Sequence, residues 1–262
     1  MKVGNSLEIL LVHCQGESGN VLLGGAPELP GATVLEKMNH LNEVDDSLRL
    51  FVTREPRAQV VHTTNLVLPP CRPDADAAFI VLQPDRAHPM SGSNCICVVT
   101  ALLETGRVRM VEPETVVRLD TAAGLIVAHA RCENGRCVSV SLDNVPAFVA
   151  ELDAVIETPG WGAIRADIAF GGVFYAQVYV DQVGLEIVPE RARELADAGM
   201  EIKALLRDQL SVEHPEIPGL AAVQIAAVRE FLIASLLIVL LRFRPQGLIP
   251  ERHIRHRLPD AP

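Results

Sequence analysis

The 262-residue chain is poor in aromatic side chains: one Trp, two Tyr and seven Phe, 4% in all. It has no Lys/Arg stripe with aromatics interleaved. Its charge is −10, and six Arg against three acids in residues 225–262 leave 17 basic and 30 acidic side chains in residues 1–224. A body of that sign has nothing to offer a phosphate backbone, so nucleic-acid binding is excluded. Cysteine is sparse, at six, with no paired CxxC set at metal-ligand spacing. That excludes a disulfide scaffold and a zinc finger and places the chain in a reducing cytoplasm. Long apolar runs are missing too. The longest covers 11 residues, Phe231–Leu241, well short of the ~20 that a spanning helix needs, so a buried or interfacial helix is expected there and no membrane partner. The N-terminal MKVGNSLEILLVHCQGE has no small-residue cleavage site after its apolar stretch and is read as a first strand.

What remains is an ordinary globular composition, 49% hydrophobic, enough to fill one large core or two medium ones. Residues 7–12 and 20–25 flank the loop HCQGESG, and a helix follows over 31–41 with Val34, Leu35, Met38 and Leu41 on one face. Ile164–Val180 repeats the strand–turn–strand pattern, and 189–206 supplies another amphipathic helix. Between these lie strands at 65–68, 78–82, 116–119, 124–130 and 138–142, with Asn134-Gly135 as a hairpin turn. A helix over about 91–104, closed by Gly106, interrupts them. The pattern predicts two α+β lobes around a cleft: a first lobe at 1–159, a boundary at the Pro159-Gly160 turn, a partial second lobe at 160–224 and a divergent tail at 225–262, apolar and then basic.

Several residues have two readings. Ser91 before an apolar helix is by itself an N-cap. Cys95 and Cys97 on that helix read as small buried hydrophobes. His13 with Glu17 lacks a third ligand and reads as loop structure; no metal site is expected. Gly171-Gly172 is not followed by Lys-Ser/Thr and reads as a tight turn. Trp161 reads as packing and the two tail histidines as solvent-facing.

One segment carries more. Pro89-Met90-Ser91-Gly92-Ser93-Asn94, running into Cys95-Ile96-Cys97-Val98, resembles the first catalytic motif of the proline racemase family, Met-Cys/Ser-Gly-His/Ser-Asn. Co-linear similarities are Leu29-Pro30-Gly31-Ala32-Thr33, Arg54-Glu55-Pro56-Arg57, Asn144-Val145-Pro146-Ala147-Phe148, Phe170-Gly171-Gly172-Val173-Phe174-Tyr175 and His214-Pro215-Glu216. The resemblance implies two pseudo-symmetric lobes similar to the diaminopimelate epimerase fold, each bringing one catalytic residue to the start of a central helix, with the second lobe incomplete here. It also implies chemistry at the Cα proton of a small amino acid without any cofactor. Ser91 would be the catalytic residue, and Gly92, Ser93 and Asn94 would hold the substrate.

The physics of that role is direct. Without a pyridoxal cofactor, removing a Cα proton needs a held carboxylate and a base at the carbon. Free N–H groups at a helix start meet the first need, and Gly92 lets the carboxylate approach the backbone. Position 91 is Ser, a weaker base than a thiolate. Within the family, Ser here goes with hydroxyproline: 2-epimerisation of 4-hydroxyproline or dehydration of trans-3-hydroxy-L-proline. The latter, with its Cα hydrogen and hydroxyl on one ring face, suits a one-sided site, so dehydration is expected ahead of epimerisation. The family's partner motif, Asp-Arg/Ser-x-Pro-Cys-Gly-Thr-Gly, has no counterpart in this sequence. The alternative is therefore a truncated, catalytically inactive remnant, and a further one is that the apolar tail docks another subunit, a homodimer included.

Overall fold

The computed structural model describes residues 6–59, 61–221 and 225–229, the last five as backbone. Two sheets organise them. The first has nine strands: β1 (Glu8–Leu10), β2 (His13–Cys14), β3 (Glu17–Gly24), β4 (Thr63–Leu68), β5 (Ala77–Leu82), β6 (Ala87–His88), β7 (Glu114–Thr121), β8 (Gly124–Glu133) and β9 (Arg136–Asp143). Their order is β1-β3-β4-β5-β7-β8-β9, with β2 on β3 and β6 on β5. The β3–β4 and β5–β7 pairs are parallel. Parallel neighbours need crossovers. Helices α1 (Val34–Glu43) and α2 (Ser47–Thr53) lie in the first, and α3 (Gly92–Glu104) in the second.

Strand β5 shows why the sheet lies between those helices. Ala77, Phe79 and Val81 join the cluster that contains α3. Ala78, Ile80 and Leu82 join the cluster built on Val34, Met38 and Leu41 of α1 and Val52 of α2. A strand covered on both faces reads as an unbroken apolar run, as AAFIVL does. Helix α1 is started by Thr33, whose hydroxyl accepts from Glu36 N at 3.1 Å while the Glu36 carboxylate accepts from Ala32 N.

The second sheet has four strands, in the order β10 (Phe148–Thr158), β11 (Gly162–Phe170), β12 (Phe174–Tyr179) and β13 (Ile225–Arg229). Strands β12 and β13 are parallel, and α4 (Ala192–Gln209) makes the crossover. Ile164, Ala166, Ile168 and Phe170 alternate inward along β11 and share a core with Ile202 and Leu206 of α4. The fold is thus the expected α+β pair of lobes. Among the described residues, no helix is long and apolar enough to cross a membrane.

The division of the chain differs from the one expected. The backbone leaves the first sheet after Asp143 and enters the second at Phe148, so the second lobe begins before residue 160. Pro159-Gly160 is the turn of the β10–β11 hairpin, tied by Thr158, whose Oγ1 donates to Gly162 O at 2.8 Å and accepts from Trp161 N at 3.0 Å. Residues 225–229, assigned to the tail, form the fourth strand of the second sheet. The expected helix over Phe231–Leu241 and the tail histidines lie outside the described residues.

Candidate active site at the start of helix α3

Ser91 precedes α3 with an extended backbone (φ −154°, ψ 132°), and its carbonyl accepts the first helical bond from Cys95 N at 2.9 Å. An N-cap serine would turn its hydroxyl back onto an N–H of the first turn. Ser91 does not, for no side-chain capping bond is present. Its Oγ accepts instead from Asn94 Nδ2 at 2.9 Å and lies 3.3 Å from Ser93 Oγ. The N–H groups of Gly92, Ser93 and Asn94 have no acceptor among the described residues. They stand at the positive end of a 13-residue helix, an arrangement that favours a carboxylate. A Cβ built on Gly92 meets nothing within 4 Å. Packing within the chain therefore does not require this glycine, whereas an anion seated close to the backbone would.

The support beneath Ser91 is polar and buried. Asn94, 2% exposed, has its Oδ1 against Asn65 Nδ2 at 2.7 Å. Asn65, on β4 and fully buried, also donates to the main-chain carbonyl of Asn20 on β3 at 3.2 Å. Gly19 lets β3 approach: a Cβ there would be 2.7 Å from Cys97 Sγ and 2.9 Å from Asn94 Oδ1. Of the four residues expected at the site, Ser91, Gly92 and Ser93 form its rim. Asn94 differs: its Oδ1 and an Nδ2 proton are both engaged with protein groups, so its side chain holds Ser91.

The second lobe reaches the same place. Gly172 (φ +103°) lies against Met90, the residue before Ser91. Asn144 Nδ2 donates to Gly171 O at 3.4 Å. Phe170 stacks on Phe148 with ring centroids 5.2 Å apart, and the His214 ring meets Phe170 edge-on at 4.7 Å. Four of the strings singled out in the sequence therefore converge, while Arg54-Glu55-Pro56-Arg57 lies beyond α2, outside that cluster. His214 accepts from Glu216 N and Ile217 N through Nδ1, both at 3.1 Å, which shapes its own loop.

Other sequence candidates resolve simply. His13 Nδ1 accepts from Gly16 N at 3.2 Å within a turn, and no cluster of three or more metal-ligating side chains occurs among the described residues. Cys95 and Cys97 are buried on α3, and burial pushes their thiols up to about 12 and about 11, which keeps them protonated. Gly171-Gly172 is the β11–β12 turn. Trp161 is partly buried against the core. Sequence reasoning missed Asn65 and Asn20. The only signal for Asn65 was a single amide within an otherwise apolar or β-branched strand.

A family model described as proline racemase matches residues 9–232. The chain is 50% identical over 232 residues to the 4-hydroxyproline 2-epimerase of Agrobacterium fabrum, covering 88% of this chain and 67% of that protein. It is 51% identical over 232 residues to 4-hydroxyproline 2-epimerase 1 of Rhizobium rhizogenes, with the same coverage. Among solved structures, it superimposes on a hydroxyproline epimerase from Agrobacterium vitis with bound trans-4-hydroxy-L-proline at a TM-score of 0.82, with 50% identity over 88% of this chain and 68% of that one. A probable proline racemase from Agrobacterium radiobacter with bound carbonate gives 0.79, with 52% identity over 84% and 66%. The chain thus spans about two thirds of the length of the relatives it matches.

Proposed function

The chain belongs to the proline racemase family, and from that premise we propose that the start of α3 is one side of a site that moves the Cα proton of 4-hydroxyproline without a cofactor. The observation that carries this reading is the Ser91 hydroxyl beside three N–H groups that have no acceptor among the described residues, and an open glycine. The N–H groups of Gly92, Ser93 and Asn94 take the substrate carboxylate, which withdraws charge from Cα and fixes the ring. Ser91 Oγ then stands toward one face of Cα, and the Asn94 amide donated to it stabilises its deprotonated form.

Inversion requires a second acid or base on the opposite face. Among the described residues, Ser91 Oγ is hydrogen-bonded to Asn94 and Ser93, neither of which takes up a proton at neutral pH. The relatives are named as 4-hydroxyproline 2-epimerases, which supports epimerisation over the dehydration of trans-3-hydroxy-L-proline that a one-sided site suggested. A second reading follows from the missing Pro-Cys-Gly-Thr-Gly string: these 262 residues bind hydroxyproline but do not invert it.

The test is incubation with trans-4-hydroxy-L-proline in D2O, followed by NMR at Cα, with trans-3-hydroxy-L-proline run in parallel and Ser91→Ala as control. Epimer formation that depends on Ser91 supports the full reaction. Binding without epimer supports the second reading, and a pyrroline-2-carboxylate formed by loss of water from the 3-hydroxy isomer would restore the dehydratase. The absence of both binding and exchange would overturn the proposal.

A further inference from the structure

Two buried amides behind Ser91 form a chain whose direction is fixed from one end. A main-chain carbonyl only accepts, so Asn65 must present Nδ2 to Asn20 O, 3.2 Å away. The second proton of the same nitrogen then points to Asn94, 2.7 Å away, and Asn94 must answer with Oδ1. That leaves Asn94 Nδ2 facing Ser91 Oγ at 2.9 Å as a donor. Amide orientation is ordinarily inferred from such networks, and here the network has a single self-consistent direction.

We infer that Asn65 is a positioning residue: through Asn94 it makes Ser91 Oγ a hydrogen-bond acceptor, stabilising the deprotonated form of whatever group occupies position 91. This rests on the reading of the α3 start as the substrate site. A further fact favours a directing role over a merely structural one. Asn65 is fully buried and its Oδ1 has no partner among the described residues. An unsatisfied buried acceptor is destabilising, and a leucine of similar size would avoid it. The amide is explained by its donor pair, which an apolar residue cannot supply.

Asn65 touches no substrate atom in this account. Its influence passes along one hydrogen bond to Asn94 and a second to Ser91. Reversing the chain at Asn65 should therefore reverse what Ser91 receives, without altering the shape of the rim formed by Gly92 and Ser93.

The experiment replaces the hydroxyl by a titratable reporter. In the full chain carrying Ser91→Cys, the rate of iodoacetamide alkylation at position 91 is measured from pH 6 to 10 by peptide mass spectrometry, which separates it from the six native thiols. The same is done with Asn65→Asp, whose carboxylate accepts from Asn94 Nδ2 and turns Oδ1 toward the reporter, and with the smaller, neutral Asn65→Ser. The expected result is that either Asn65 change moves the titration upward and slows alkylation at pH 7 by about tenfold, the scale of one hydrogen bond to an ionised group. An unchanged titration in a folded Asn65 variant overturns the inference. If neither variant folds, side-chain amide NMR of the Ser91→Cys chain decides: slowly exchanging Asn65 protons support the assignment and freely exchanging ones overturn it. Hydroxyproline plays no part in this readout, so failure of the proposed function and failure of the Asn65 assignment are seen separately.

Discussion

Gly172 lies so close to Met90 that a Cβ at position 172 would stand 2.2 Å from Met90 Cε. The contact joins the β11–β12 turn of the second sheet to the residue preceding Ser91. Gly172→Ala should destabilise the chain by about 1–3 kcal/mol through overpacking and a left-handed φ of +103°. Adding Met90→Ala should recover part of that loss, because the two residues are in contact. Urea unfolding of the four chains gives the cycle, and strictly additive effects would show that the turn does not press on Met90.

Ser91→Ala loses no N-cap, since Ser91 makes no capping bond, and should cost about 1 kcal/mol through the Asn94 donor it leaves without an acceptor. What it removes is the acceptor for Asn94 Nδ2. Thermal unfolding should show a small shift, while any hydroxyproline-dependent signal is lost. A large shift in Tm would return Ser91 to the role of a cap.

The buried thiols predict a pH dependence. Cys95 and Cys97 ionise at about 12 and about 11 in the folded chain because burial penalises the thiolate, against ~8.5 when unfolded. Between those values the folded state binds more protons. Their contribution is therefore complete below pH ~8.5 and is lost as pH rises. The urea midpoint should fall above that pH, and less steeply in Cys95→Ala. Identical slopes for the two chains would contradict the assignment.

Asp85 and Lys203 join the lobes, Lys203 Nζ of α4 donating to Asp85 Oδ2 at 3.1 Å. Burial works against the charged carboxylate, but His88 and Lys203 outweigh it and hold the group below the ordinary range. A depressed carboxylate stabilises above its unfolded value of ~3.9 and loses that contribution as pH falls. Because Asp85 is half exposed, the effect is small, below about 1 kcal/mol. Asp85→Asn should be destabilised at pH 7, and its gap to the parent should narrow steadily as pH falls below the unfolded value of ~3.9. A difference that persists in acid would assign the loss to packing.

Much of this was legible beforehand, for physical reasons. The run AAFIVL and the apolar helix after Ser91 are one-sided statements about burial, and Asn134-Gly135 forms its hairpin with φ of +55° and +70°. Strand β10 was less legible, because Glu151, Asp153 and Glu157 are exposed and two register shifts break its alternation, with Asp153 at φ +54°. Pro159-Gly160 therefore read as a boundary when it is a turn inside the sheet. Ser91, Gly92 and Ser93 were visible as a motif. Asn65 was not: its role depends on a partner 29 residues away, and a lone amide in TTNLVL gives no period to detect.

The proposed site seats hydroxyproline on the start of α3 against position 91. The most direct measurement is the alkylation rate of the thiol introduced by Ser91→Cys, with increasing trans-4-hydroxy-L-proline at fixed pH. Saturable protection is expected, lost when Gly92→Val fills the space above the backbone, with Cys14, Cys71 and Cys137 reacting at unchanged rates throughout. An introduced thiol that alkylates equally fast at every concentration of hydroxyproline would contradict it.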